Sequence, residues 1–293
     1  MSVSSACSCV SCPAHPATAS GSVGCGFYPS SSMTDAQWAV LEPLLPPPAS
    51  AAGRGGRPEK HPRRLVLDAI FYLVRGGIAW AQLPAGFPPY QTVYGAFRHW
   101  ARQGVWRQVH DALRDLVRVY EGRDPCPTAA VIDSQSVRGA DTVPGASRGY
   151  DAGKKVNGRK RHIAVDTGGL LLAVVVTMAG IQDRDGGHRL LADLRARFHT
   201  IGLIWADGGY AGRLVTWAGK VLSLTVQVVK RTDDVTGFRV LPRRWVVERT
   251  FAWISRHRRC VRDYETLPAH HEAMVHISMI MTMSRRLART GHW

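Results

Sequence analysis

Apolar positions recur at two different spacings along the chain, and the change of spacing divides it. From Met33 to about residue 121 the spacing is helical. Thr34 and Asp35 are capping residues ahead of Trp38, Leu41, Leu44 and Leu45, which predicts a first helix. A second is expected from about Pro62 to Arg75, with Leu65, Leu67, Ile70, Phe71 and Leu73 apolar and Gly76-Gly77 as its stop. Thr92 can cap a third that carries Val93, Phe97 and Trp100, and a fourth runs from Val105 to Tyr120. Gly122, Pro125 and Pro127 then break the pattern.

Beyond that break, strands alternate with helices. Short apolar runs predict strands at Ala129–Ile132, His162–Val165, Leu170–Met178, Leu203–Ala206 and Leu224–Val229. Asp166-Thr167-Gly168-Gly169 is the turn of a hairpin between the second and third. Helices are expected at Gly187–Phe198, Tyr210–Lys220, Leu241–Arg262 and Ala269–Ala288. Strand, strand, strand, helix, strand, helix, strand, helix is the order of the ribonuclease H fold. The expected architecture is α/β: a ribonuclease H-like mixed sheet flanked by helices, preceded by a small all-α, helix-turn-helix-like domain. The corresponding divisions are residues 1–32, 33–121 and 127–290.

Composition narrows the function. Lys and Arg number 38 against 22 Asp and Glu, a formal charge of +16, and such a surplus calls for a polyanion, nucleic acid before an anionic membrane surface. The longest apolar run, Leu170–Ile181, is too short to span a bilayer and is rich in Val, as a buried strand is. No basic-then-apolar leader opens the chain, so a cytoplasmic, nucleoid-associated location is expected. Cys7, Cys9, Cys12 and Cys25 crowd the first residues with His15, but a single C-x-x-C in a Ser-, Ala- and Gly-rich stretch reads as disorder before it reads as a zinc site. Residues 1–32 are expected to be a disordered extension ahead of a translation start near Met33.

Three carboxylates carry the candidate chemistry. Asp133 follows Val131-Ile132, and Asp207 follows Ile204-Trp205-Ala206, each at the end of an expected strand and hence at the sheet rim. Gly208 and Gly209 permit close approach of backbone and substrate. Glu248 lies on the first closing helix, with Val247, Phe251 and Ile254 on its apolar face. Phosphodiester cleavage and joining need an in-line nucleophile and neutralised charge. Two hard cations held by carboxylates supply that. Each acid also has an ordinary reading: a turn acceptor for either Asp, and for Glu248 a salt bridge to Arg244 or Arg249. Asp183 and Asp185, ahead of a helix, are caps or substitute ligands.

At these residues the chain resembles the DDE transposases of bacterial insertion sequences, in the insertion-sequence-five branch. The best-matching stretches are Asp133-Ser134-Gln135-Ser136, Gly149-Tyr150-Asp151-Ala152-Gly153-Lys154-Lys155, Ala206-Asp207-Gly208-Gly209-Tyr210 and Arg244-Trp245-Val246-Val247-Glu248-Arg249. The resemblance implies that Asp133, Asp207 and Glu248 are the catalytic and metal-binding residues. It implies two Mg²⁺ ions, which Mn²⁺ can replace. Of a basic signature around the family's glutamate, this chain keeps Arg244 but has Leu241 and Ser255 at the outer positions, with Arg256 one step beyond.

Two basic clusters complete the expectation. Arg148, Lys154, Lys155, Arg159, Lys160 and Arg161 sit in what reads as a loop beside Asp133, and Arg244, Arg249 and Arg256 lie on the Glu248 helix. They are candidates for a sequence-independent grip on the phosphate backbone, against the plainer reading of solvated charge. The function expected is a transposase that binds inverted-repeat ends in double-stranded DNA, cleaves there and joins the 3′-hydroxyl to target DNA, as a homo-oligomer on DNA and away from membranes. The alternatives are a nuclease of the same fold without strand transfer, and an inactive DNA-binding derivative.

Overall fold

The computed structural model describes residues 28, 31–48, 50, 58–229 and 245–289. The cysteine-rich segment 1–27, Leu241 and Arg244 lie outside these. Structure begins ahead of Met33, because the Tyr28 ring packs on those of Tyr72 and Phe87, at centroid distances of 4.5 and 5.6 Å.

Helix α1 (Asp35–Leu41) is nucleated by a capping box in which the Thr34 hydroxyl accepts from the Gln37 amide and the Gln37 side chain accepts in return from the Thr34 amide. Helices α2 (Arg63–Gly76), α3 (Tyr90–Arg102) and α4 (Val105–Tyr120) follow the apolar spacing closely. Gly77 ends α2 in the left-handed conformation, with its amide returned to Leu73 O.

The sheet has six strands: β1 (Ala129–Arg138), β2 (Gly149–Asp151), β3 (Val156–Val165), β4 (Leu171–Met178), β5 (Leu203–Ala206) and β6 (Thr225–Val228). β3 pairs antiparallel with β1 on one edge and with β4 and β2 on the other, while β5 and β6 add in parallel beyond β1. Without the short β2, the order β4-β3-β1-β5-β6 is that of a ribonuclease H-like sheet. Between and after the strands run α5 (Asp183–Arg197), α6 (Arg213–Leu222), α7 (Trp245–Ser255) and α8 (Pro268–Ala288).

Alternation along the strands sends side chains into two cores. Ala130, Ile132 and Ile204 face α5 and α6, and Val131, Ile163 and Trp205 face α7 and α8. The second core does not stop at the sheet. Leu67, Phe71, Phe97, Val109 and Leu113 of the N-terminal helices belong to it, and each of α1 to α4 is packed against α8 or its neighbours. The helical region and the sheet therefore share one interior rather than standing apart. Arg118 and Arg123 reinforce the junction through ion pairs to Asp166, whose carboxylate also accepts from Gly168 N and Leu170 N in the β3–β4 turn.

Three expectations need correction. β1 continues five residues past Asp133 and β3 begins at Val156, so most of the expected basic loop is a long hairpin. α5 begins at Asp183, four residues early. α7 ends at Ser255, and a tight turn at Arg258–Cys260 replaces the helix expected to continue to Arg262.

Candidate active site

Asp133 lies within β1, opposite Ile163 of β3, but past the end of the ladder that β1 forms with β5. That ladder pairs Ala129 with Leu203 and Val131 with Trp205. Two residues further along each strand, the register brings Asp133 level with Asp207. By alternation both belong to the face that carries Val131 and Trp205, the face covered by α7. Both are partly exposed. Asp133 Oδ1 accepts from the Ser134 amide at 2.7 Å, and Asp207 Oδ1 accepts from the Gly209 amide at 2.9 Å. Asp207 thereby caps the turn Gly208–Tyr210 that leads toward α6.

Glu248 lies in the first turn of α7, exposed, while Val247, Thr250, Phe251 and Ile254 anchor that helix. Among the described residues Glu248 has no ion pair or hydrogen bond. Its neighbour Arg249 is engaged elsewhere, donating to Gly168 O at 2.7 Å and lying over the rings of Trp245 and Trp253 at 4.3 and 4.8 Å. The three carboxylates have hard oxygen donors, which suit a divalent cation. Among the described residues, no three His, Cys, Asp or Glu side chains are drawn close enough to hold an ion by themselves.

Behind the rim, on the α5 side of β1, lies a polar network that periodicity does not reveal. Ser134 Oγ donates to Asp183 Oδ1 at 2.7 Å, and Lys160 Nζ meets the same oxygen at 2.9 Å and Asp151 at 3.5 Å. Ser136 Oγ donates to Asp151. Burial works against the charge of Asp183, but the hydrogen bonds from Lys160 and Ser134 prevail and hold its carboxyl below the ordinary range. Tyr210 is buried beside these acids. Burial first, then the charges of Asp133, Asp183 and Asp207, push its phenol well above the usual value, so it stays neutral. A Cβ on Gly209 would lie 3.1 Å from Asp207 Oδ1 and 3.3 Å from Asp183 Oδ2, so this glycine lets the two acids approach. Asp185, by contrast, is exposed.

The basic candidates separate sharply. Lys154 and Lys155 are exposed on the β2–β3 turn, with Lys154 Nζ 3.4 Å from Ser134 O, and Arg148 is half-buried. Arg159, Lys160 and Arg161 are buried strand residues and are not available to phosphates. Arg159 pairs with Asp263 at 3.0 Å and donates to Ser147, Glu265 O and Thr266 O. Arg161 is satisfied by Gln135 and by Cys260 O. A guanidinium enters a protein interior only when its donors are met, and here they are met by residues distant in sequence. Arg256 is exposed and its carbonyl accepts from Arg75, whereas His257 and Arg259 turn inward.

With this geometry, two family models match the chain. One, described as "Putative transposase of IS4/5 family", matches residues 33–110. The other, described as "Transposase DDE domain", matches residues 124–283, more than half of the chain. The chain belongs to the DDE transposase family. It is also 34% identical over 112 residues to the insertion element IS402 uncharacterized 16.2 kDa protein of Burkholderia cepacia, a match that covers 36% of this chain and 71% of that protein. The DDE domain is that of a nucleic-acid-handling enzyme, and such domains use divalent metal ions. No helix among the described residues is long and apolar enough to cross a membrane.

Proposed function

We propose that this transposase binds the inverted-repeat ends of its insertion sequence, cleaves the DNA there and joins the freed 3′-hydroxyl to a target duplex. The observation that carries the proposal is the level placement of Asp133 and Asp207 at the open end of the β1–β5 ladder, on the face covered by the Glu248 helix. Asp133, Asp207 and Glu248 would hold Mg²⁺, two ions in the expected arrangement. A bound metal would supply neutralisation of charge at the scissile phosphate and activation of a water or hydroxyl nucleophile.

The chain's own residues prepare that rim. The Ser134 and Gly209 amides each hold one oxygen of an aspartate and so orient the two carboxylates at the rim. Tyr210 supplies a neutral, buried wall behind them. Lys154, Lys155 and Arg148 lie on the same hairpin and would grip the backbone without choosing sequence. Arg249 is tied to Gly168 and the two tryptophans, and would act on DNA as a fixed guanidinium. Two ends must be brought together, so the protein would act as a homo-oligomer on DNA.

The test uses full-length protein, Mg²⁺ and labelled duplexes carrying the element's ends. Strand-transfer products that disappear with Asp133→Asn support the proposal. Hydrolysis without joining would replace it with a nuclease of the same fold. Binding without cleavage under any divalent ion would make this chain an inactive DNA-binding derivative.

A further inference from the structure

Asp183 opens α5, where a carboxylate commonly bonds to the free amides of its own helix. This one is turned elsewhere: among the described residues it accepts from no α5 amide. Its Oδ1 accepts from Ser134 Oγ of β1 at 2.7 Å and from Lys160 Nζ of β3 at 2.9 Å. Its Oδ2 lies against the turn that follows β5, 3.3 Å from where a Cβ on Gly209 would stand. One side chain thus touches β1, β3 and the turn after β5.

The two residues it meets at the rim are the two whose amides hold the candidate aspartates. Ser134 N donates to Asp133 Oδ1 at 2.7 Å, and Gly209 N donates to Asp207 Oδ1 at 2.9 Å. Ser134 therefore works in both directions, with its amide toward Asp133 and its hydroxyl toward Asp183. The β1–β5 ladder ends at Val131–Trp205, two residues short of both acids, so strand pairing alone does not set their spacing. Asp183 bridges that gap from behind, and its own seat is firm. Lys160 Nζ also donates to Ile181 O at 2.8 Å, so β3 holds the start of α5 at two points. Gly187 brings α5 close to the same turn, since a Cβ there would lie 2.7 Å from a Leu214 methyl and 3.1 Å from the Tyr210 ring. Lys160 also neutralises the carboxylate, which makes it a strut rather than a competing cation ligand.

We propose that Asp183 is a positioning residue for the metal site: through Ser134 and Gly209 it sets where Asp133 and Asp207 present their oxygens, without binding the metal itself. The inference rests on the proposed roles of Asp133 and Asp207 as metal ligands. It gives the start of α5 a part in the chemistry of a rim that faces the other side of the sheet. It also accounts for a charged pair, Lys160 and Asp183, placed behind the site rather than in it.

The experiment measures Mn²⁺ binding to full-length protein without DNA, from the loss of the free-ion electron paramagnetic resonance signal. Asp183→Ala leaves Lys160 its contacts with Ile181 O and Asp151, so no buried charge is stranded. It is expected to weaken Mn²⁺ binding about tenfold or more, the effect of losing an outer partner of a metal ligand. Ser134→Ala should do the same, and the double variant should be little weaker than either single, because both remove one contact. Asp183→Asn keeps an acceptor for Ser134 and should lie closer to wild type. Should Asp183→Ala fail to fold, Ser134→Ala decides from the β1 side. Arg159→Met removes a buried ion pair on β3 away from the rim, and should lower stability with Mn²⁺ affinity kept. An equal loss of affinity in Arg159→Met would reduce Asp183 to a general structural role and overturn the proposal. Loss of binding in Asp183→Ala as complete as in Asp133→Asn would make Asp183 a ligand and overturn it too. Unchanged affinity in Asp183→Ala and Ser134→Ala, with binding abolished by Asp133→Asn, would overturn this inference alone. Unchanged affinity in Asp133→Asn would remove the metal reading of the rim, and this inference with it.

Discussion

Arg159 and Asp263 form an ion pair, 3.0 Å apart, in which neither side chain reaches solvent. The pair joins the centre of β3 to the segment ahead of α8, and His271 approaches the other Asp263 oxygen at 3.1 Å. Removing one partner of a buried pair strands the other charge, at a cost of about 3–5 kcal/mol. Arg159→Met is therefore expected to lower unfolding stability by that order in urea titrations. Arg159→Met/Asp263→Leu should recover part of the loss. A drop in DNA affinity at unchanged stability would instead return Arg159 to the DNA-binding surface.

Gly186, in the first turns of α5, lies against the imidazole of His162, and a Cβ there would overlap the ring. The imidazole is in turn held by Thr177 Oγ1 at 3.1 Å, so it cannot retreat freely. Gly186→Ala should destabilise by about 1–3 kcal/mol, although alanine favours a helix elsewhere. Thermal unfolding of the variant checks the sign, and stabilisation would show that the packing there is loose.

His257 has a clear pH consequence. Burial first, then the charge of Arg75, push its pKa down to about 4 from the ordinary 6.5. The unfolded chain therefore binds this proton at a higher pH than the folded chain does. Stability tied to His257 is full above pH 6.5 and is lost as pH falls toward 4, at about 1.4 kcal/mol per pH unit. His257→Gln should flatten the wild-type slope in that window, measured by urea unfolding at successive pH values. An identical slope in the variant would mean that other groups account for it.

Asp133 and Asp183 should separate by function. Asp183 is bound to Lys160 and Ser134 on the α5 side of the sheet, whereas Asp133 lies past the end of the β5 ladder on the α7 side. Asp133→Asn is expected to lower end cleavage on the order of 10³-fold, equivalent to about 4 kcal/mol of barrier, with DNA affinity kept. Asp183→Asn should cost much less activity and more stability. The reverse ranking would move the metal site to the α5 side of the sheet.

How much of the fold and the site is legible in the chain depends on where each residue's partners lie. The helix starts and strand order follow local spacing, as the Thr34–Gln37 capping box illustrates, and so they emerge directly. Asp207 after an apolar strand is local too. Asp133 is legible for a partly mistaken reason, since its strand continues to Arg138 and only the β5 ladder ends beside it. The run Arg159-Lys160-Arg161 reads as a phosphate-gripping basic loop because its partners Asp263, Asp183 and Gln135 lie far off in sequence. Past the end of α7, Arg259 turns inward to nearby Glu265 and to the distant Ile78 O, and only the second of these lies beyond a local window of sequence.

Helix α8 supplies the surface against which α1 to α4 close, yet the polypeptide reaches it only after the whole sheet has been laid down. During synthesis the N-terminal helices emerge from the ribosome first and must wait, with Leu67, Phe97 and Leu113 still wet, until residues 268–288 arrive. Long-range contacts of this kind slow folding and leave apolar surface open to chaperones and to aggregation in the interval. The order of translation thus acts as a clock, and a chain cut short before α8 leaves those helices without an interior.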